Sequence, residues 1–128
     1  MREAGWSIDL PAHAGRTRGR LVLDGAGITF LVARRRAQET SRRRQIATVE
    51  VRQATVNQTR SGVSLDIVGS FGNAGWLVGG PLAPWRFNEH EAQLKMWVTH
   101  IGFRPFTWPS WPGRVVWARK PEDIDWLP

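Results

Sequence analysis

The sequence predicts a mainly β domain with one C-terminal α-helix, and three observations carry that reading. Short β-branched and aromatic runs recur with period two, separated by turns rich in Gly, Asn and Asp. The period switches once, to that of a helix, in a stretch bounded by Asn88 and Gly102. After Gly102 the composition shifts to proline and tryptophan, as in an extended arm rather than a further periodic element.

Residues 1–15, with Pro11, Gly15 and mixed charge, are expected to form an irregular N-terminal segment. The domain proper is expected over 16–102. Its first strand centres on Leu21-Val22-Leu23, and Asp24-Gly25-Ala26-Gly27 supplies turn chemistry with positive-φ positions. Ile28-Thr29-Phe30-Leu31-Val32 returns as the second arm of a hairpin. Gln45 to Val56 has the length and β-branched content of one long strand, bulged where its alternation slips. A turn at 57–62 precedes Val63, Leu65 and Ile67, which alternate strictly with Ser64, Asp66 and Val68. Gly69 to Gly75 is expected to be a glycine-rich turn, followed by a short strand over 75–79.

Leu94, Trp97, Val98 and Ile101 fall at i, i+3, i+4 and i+7, one apolar face of a helix. Asn88 and Glu91 have the spacing of a capping box, and Gly102 sits where a left-handed terminator belongs. A helix is therefore expected over 89–101. Residues 103–128 form a Trp/Pro-rich arm that packs on the domain or on a partner, with Arg114–Ala118 as a candidate strand.

Composition narrows the chemistry. Cysteine is absent, which excludes disulfides, thiolate metal sites and a catalytic thiol. His90 begins like a zinc-helix motif, but the position four residues on is Leu94, so the second ligand is missing. His90 and His100 are read as surface histidines, and neither a metal nor a cofactor is predicted. Gly69-x-x-Gly72-x-x-Gly75 lacks the Lys-Ser/Thr of a phosphate loop and leads into a strand, so it is read as a turn. No catalytic constellation emerges, and the chain is expected not to be an enzyme.

Charge is the strongest functional signal. The chain carries a formal net +7 at pH 7. The stretch 16–44 holds nine arginines opposed only by Asp24 and Glu39, so this one stretch equals the excess of the whole chain. Two triplets, Arg34-Arg35-Arg36 and Arg42-Arg43-Arg44, flank a five-residue spacer between two predicted strands. Each guanidinium presents a planar fork of donors to phosphate or carboxylate, which makes this an anion-binding candidate. Trp76 and Trp97 are read as core, and Trp108 and Trp111, around Pro109, as candidate partner contacts.

Gly19-Arg20-Leu21-Val22-Leu23-Asp24, then Gly27-Ile28-Thr29-Phe30, then Gln45-Ile46-Ala47-Thr48-Val49-Glu50-Val51, with a terminal helix bearing Trp97, resemble a bacterial PH-like or GRAM-like domain. The resemblance covers about residues 16–102. It implies a small open barrel or sandwich capped by the helix, with Trp97 at the position of a tryptophan that the family's terminal helix often buries. Lipid-binding members place a basic motif between the first two strands. The first predicted connection here, Asp24–Gly27, has no base, and the Arg cluster falls one connection later, so phosphoinositide recognition is not carried over. The Trp/Pro arm has no counterpart in the minimal family.

The functional expectation is a non-enzymatic binding module whose basic face engages a protein or an anionic membrane surface. The alternatives are nucleic-acid binding through the same arginines, or an assembly subunit that homo-oligomerises through strand edges and the Trp arm. The N-terminus has no apolar signal region, so a cytoplasmic location, peripheral at the membrane, is expected.

Overall fold

A computed structural model describes residues 6–32, 43–107 and 114–124. Within them lie nine strands and one α-helix: β1 (Ser7–Ala14), β2 (Thr17–Asp24), β3 (Gly27–Val32), β4 (Arg43–Ala47), β5 (Val51–Thr59), β6 (Gly62–Gly69), β7 (Gly72–Val78), α1 (Phe87–His100), β8 (Arg104–Thr107) and β9 (Val115–Ala118). They form one antiparallel sheet in the order β4-β3-β2-β1-β7-β6-β5-β9-β8. The mainly β expectation with a single C-terminal helix is met.

Connectivity dictates the sheet's curvature. β4 and β5 stand six strand spacings apart in the order, about 29 Å in a flat sheet. Yet Ala47 and Val51 are joined only by the 3-10 turn Thr48–Glu50, which spans at most about 14 Å even when extended. The seven strands β4 to β5 must therefore curl until their outer members meet at this corner. The curl encloses the main core: Leu21, Leu23, Val63, Leu65, Ile67 and Val78 are each 0% exposed.

This corner corrects the expectation of one strand over 45–56. Val49 looked like a strand residue, but it projects into solvent at 84% exposure while the chain turns beneath it. The turn is held by long-range bonds. The Thr48 N–H donates to the Ala26 carbonyl (2.9 Å), its hydroxyl to the Gly25 carbonyl (3.2 Å), and the Ser70 N–H to the Glu50 carbonyl (3.3 Å). Arg119 completes it, donating to the carbonyls of Val51 and Thr48 at 2.9 Å each. The predicted bulge is real: Val51 pairs with Gly69 and Gln53 with Val68, leaving Arg52 as the extra residue.

The N-terminal segment is not irregular. Ile8, Leu10 and Ala12 are buried while Ser7, Asp9 and Pro11 face out, the signature of a strand with one wet face. Pro11, which argued against a strand, does no harm here. Its carbonyl accepts from the Gly79 N–H at 2.9 Å, so its backbone polar groups point toward β7. β1 and β7 pair only at Ala12 and His13, so Pro11 lies just beyond the ladder that its missing N–H would interrupt.

Two turns also differ from expectation. The β2–β3 turn uses no positive φ; instead Asp24 Oδ1 accepts from the N–H groups of Ala26 and Gly27 at 2.9 Å each. The glycine-rich turn is tighter than predicted: Gly69 pairs with Gly72, and β7 begins there, so Gly75 lies inside a strand.

α1 packs against β5, β6 and β1 with Leu94, Trp97 and Val98 each 0% exposed. Gly102 ends it as predicted, at φ 95°, with Gly102 N–H donating to Thr99 and Phe103 N–H to Val98, the paired bonds of a Schellman terminus. The start differs. A 3-10 turn at Pro84–Arg86 leads into the helix, Arg86 is the cap, and no capping box forms there. Asn88 and Glu91 instead both accept from the Gln58 amide at 2.6 Å, which fastens the helix to β5.

The described part of the Trp/Pro arm extends the sheet. β9 forms the predicted strand and pairs with β5, and β8 adds outside it. Val116, Ala118 and Ile124, with Phe106 against them, form a second small core.

Candidate functional site: the cationic end of the sheet

Strand register gathers four described arginines of the 16–44 stretch, Arg16, Arg18, Arg43 and Arg44, at one end of the sheet. β1 runs toward Ala14 and turns at Gly15-Arg16 into β2, so Arg16 and Arg18 stand at the near ends of β1 and β2. Gly19 pairs with Val32, so β3 leaves the sheet on this side. β4 re-enters with Arg43 opposite Leu31 and Arg44 opposite Phe30. The β6–β7 turn carries Phe71 to the same place, because the guanidinium carbon of Arg44 stands 6.0 Å from the Phe71 ring centre. α1 lies toward the other end, where its residues meet Gln58 before the β5–β6 turn and Asp24 at the β2–β3 turn.

Of the predicted anion-binding residues, Arg34, Arg35, Arg36 and Arg42 lie outside the described residues. So do the candidate contacts Trp108 and Trp111. Arg43 and Arg44 belong to β4, and Arg44 is exposed.

Arg16 and Arg18 were passed over by sequence reasoning, although both belong to the charged stretch that it singled out. What was missing was β1. With β1 in place, the first connection of the sheet is Gly15-Arg16, and Asp24–Gly27 is the second. The expectation that the first connection lacks a base is therefore corrected. Both side chains are exposed, and neither pairs with an acid among the described residues. Arg20 differs: its Nε–H donates to Asp9 Oδ1 at 2.6 Å, in an ion pair about half exposed on both sides. Exposed pairs of this kind are worth only ~0–1 kcal/mol, so Arg20 is partly neutralised at little gain in stability.

The histidine reading is corrected at one position. His90 is buried, 3% exposed, packed beside Gly79, and its Nδ1 has no hydrogen-bond partner. It faced inward because it sits at i−4 from Leu94, on the apolar stripe. His100 is exposed as expected, with its ring stacked on Trp6 at 4.1 Å between centroids. Among the described residues no three His, Asp or Glu side chains converge on a common point.

What fold and site together define is a class: a curled antiparallel β domain with one helix packed on it and an arginine-bearing opposite end. Comparison with known proteins finds no matching family model, no matching curated protein and no matching solved structure. No helix among the described residues is long and apolar enough to cross a membrane.

Proposed function

We propose that this chain is a non-enzymatic binding module of the PH-like, GRAM-like kind, docking through its cationic end onto an anionic membrane surface. The observation that carries the proposal is the placement of Arg16 and Arg18, exposed and without acid partners, beside the strand ends of Val32 and Arg43 that bound the arginine-rich connection. Two segments well separated in sequence thus contribute to one basic end. Each Arg held near an anionic bilayer contributes about 1 kcal/mol, so several acting together hold a domain there.

The PH-like assignment draws further support from two features. Seven strands precede α1, and Trp97 on that helix is fully buried, as the resemblance implies. A base-bearing connection between the first two strands, Gly15-Arg16 followed by Arg18, agrees with the lipid-binding members of that family. A cytoplasmic protein, peripheral at the membrane, fits this reading.

Co-sedimentation with vesicles of phosphatidylcholine alone and with added phosphatidylserine tests the proposal at two salt concentrations. Binding to the anionic vesicles is expected, weakened by salt and lost in an Arg34/35/36/42/43/44→Ser variant. Arg16→Ser with Arg18→Ser should weaken it independently. Equal binding to both vesicle types overturns the proposal. So does preferential binding to duplex or single-stranded nucleic acid with a log–log salt slope of about 0.9 per phosphate neutralised, which returns the function to the nucleic-acid alternative. Concentration-dependent oligomers by light scattering, without lipid or nucleic-acid binding, favour the assembly alternative.

A further inference from the structure

We propose that the outward face of β5, β6 and β7 is a second binding site, for a neutral, hydroxyl-rich small molecule such as a mono- or disaccharide. It does not depend on the membrane reading. A cavity of about 470 Å³ opens on this face, lined by Gln53, Thr55, Asn57, Asp66, Asn73 and Arg114 among others. Its size falls within the range of small-molecule sites.

The register explains why these groups converge. Thr55, Asp66 and Gly75 form one cross-strand row, flanked by Asn57 opposite Ser64 and by Val68 opposite Asn73. Asp66 stands in the middle strand, and its neighbour on β7 is a glycine. A Cβ at Gly75 would collide with Asp66 Oδ1, so the missing side chain is what lets the carboxylate lie across β7 into the cavity. Gly75 is otherwise a poor strand residue, costing backbone entropy and packing nothing. The side chains of Thr55, Asn57 and Asn73 take part in no hydrogen bond with another described residue. Their donors and acceptors are available.

Charge selects the ligand class. Asp66 and Arg114 balance each other in the lining. A cationic ligand would meet the guanidinium, and an anionic one the carboxylate. A sugar hydroxyl carries no charge to repel either group, and it donates to the carboxylate or an amide oxygen and accepts from an asparagine amide N–H. Val68, on the same outward face as Asp66, adds an apolar surface on which a sugar ring's C–H face can rest.

The test is amide chemical-shift mapping on the ¹⁵N-labelled full chain with three probes of similar shape: glucose, glucosamine and glucose 6-phosphate. Glucose is expected to shift Thr55, Asp66, Asn73 and Gly75. Asn57→Ala and Asn73→Ala, both at exposed positions, are expected to weaken it about tenfold each, one hydrogen bond's worth, with unchanged unfolding transitions. Gly75→Ala is expected to abolish it by displacing Asp66. No shifts on this face with glucose overturn the proposal. So does stronger binding of glucosamine there, which would make Asp66 a cation site, or glucose binding that survives both asparagine substitutions.

Discussion

The indole Nε1–H of Trp97 donates to the backbone carbonyl of Asp24 at 2.8 Å, joining α1 to the β2–β3 turn across 73 residues of sequence. Asp24 is used twice. Its carboxylate closes the turn on Ala26 and Gly27, and its carbonyl receives the helix. The bond gives a fully buried tryptophan the one acceptor it requires, and fixes where the helix lies on the sheet.

Trp97→Ala should therefore cost about 3–5 kcal/mol, the range for emptying a large aromatic site. Trp97→Phe retains much of the packing but leaves the Asp24 carbonyl without its donor, and should cost about 1–3 kcal/mol. Urea unfolding of the three proteins measures both. A Phe variant as stable as the parent would show that the hydrogen bond adds nothing.

Arg119 reaches from the C-terminal arm to the β4–β5 corner, with its guanidinium carbon also 4.6 Å from the Phe103 ring centre. Two carbonyls are served by one planar fork, a geometry that lysine lacks. Arg119→Lys and Arg119→Ala are both expected to destabilise, by about 1–3 kcal/mol. Because the acceptors are neutral carbonyls, the loss should persist in high salt. Paired denaturation curves at low and high salt test this.

Gly102 adopts φ 95° in the Schellman terminus of α1. Gly102→Ala places a Cβ in a sparsely allowed backbone region and should cost about 1–3 kcal/mol. The midpoint of thermal unfolding is the readout, and no change in it would mean that the terminus relaxes freely.

Two carboxylates give pH dependences of opposite sign. The hydrogen bonds from Lys95, and then from Gln58, hold the Glu91 carboxyl below the ordinary glutamate range. A lowered folded value means stability that is present above the unfolded pKa and lost as pH falls through the folded one. Glu91→Gln should flatten that acid limb. Partial burial raises the Asp66 carboxyl, with the Ser64 hydroxyl opposing. A raised folded value means stability that is present below the unfolded pKa and lost as pH rises through the folded one. Asp66→Asn should raise the melting temperature at neutral pH and change little in acid. Melting curves across pH on both variants decide the signs.

Much of the fold was legible because its signals are local. The alternation of Val63, Leu65 and Ile67 identified β6, and the stripe of Leu94, Trp97 and Val98 with Gly102 behind it identified α1. The misses share one cause. β1 was hidden by Pro11, which is tolerated because it lies just beyond Ala12 and His13, the two residues at which β1 pairs with β7. The Thr48–Glu50 corner was hidden because nothing near Val49 announces a turn; its stabilising bonds come from Gly25, Ala26, Ser70 and Arg119. Asn88 and Glu91 had the right spacing to cap a helix, but Gln58, thirty residues upstream of Asn88, takes both acceptors.

The candidate sites divide the same way. From the sequence alone came the element types, the helix terminator and the concentration of arginine in 16–44, because each depends on residues within a few positions of one another. Only the tertiary fold decided that Arg16 and Arg18 stand at the strand ends beside Val32 and Arg43, and that Asp66 lies over Gly75 between Thr55 and Asn73. Those placements follow from register. Register is set by which alternating face is buried and by hydrogen bonds between strands far apart in sequence, and a slip of one residue would turn every one of these side chains to the opposite face.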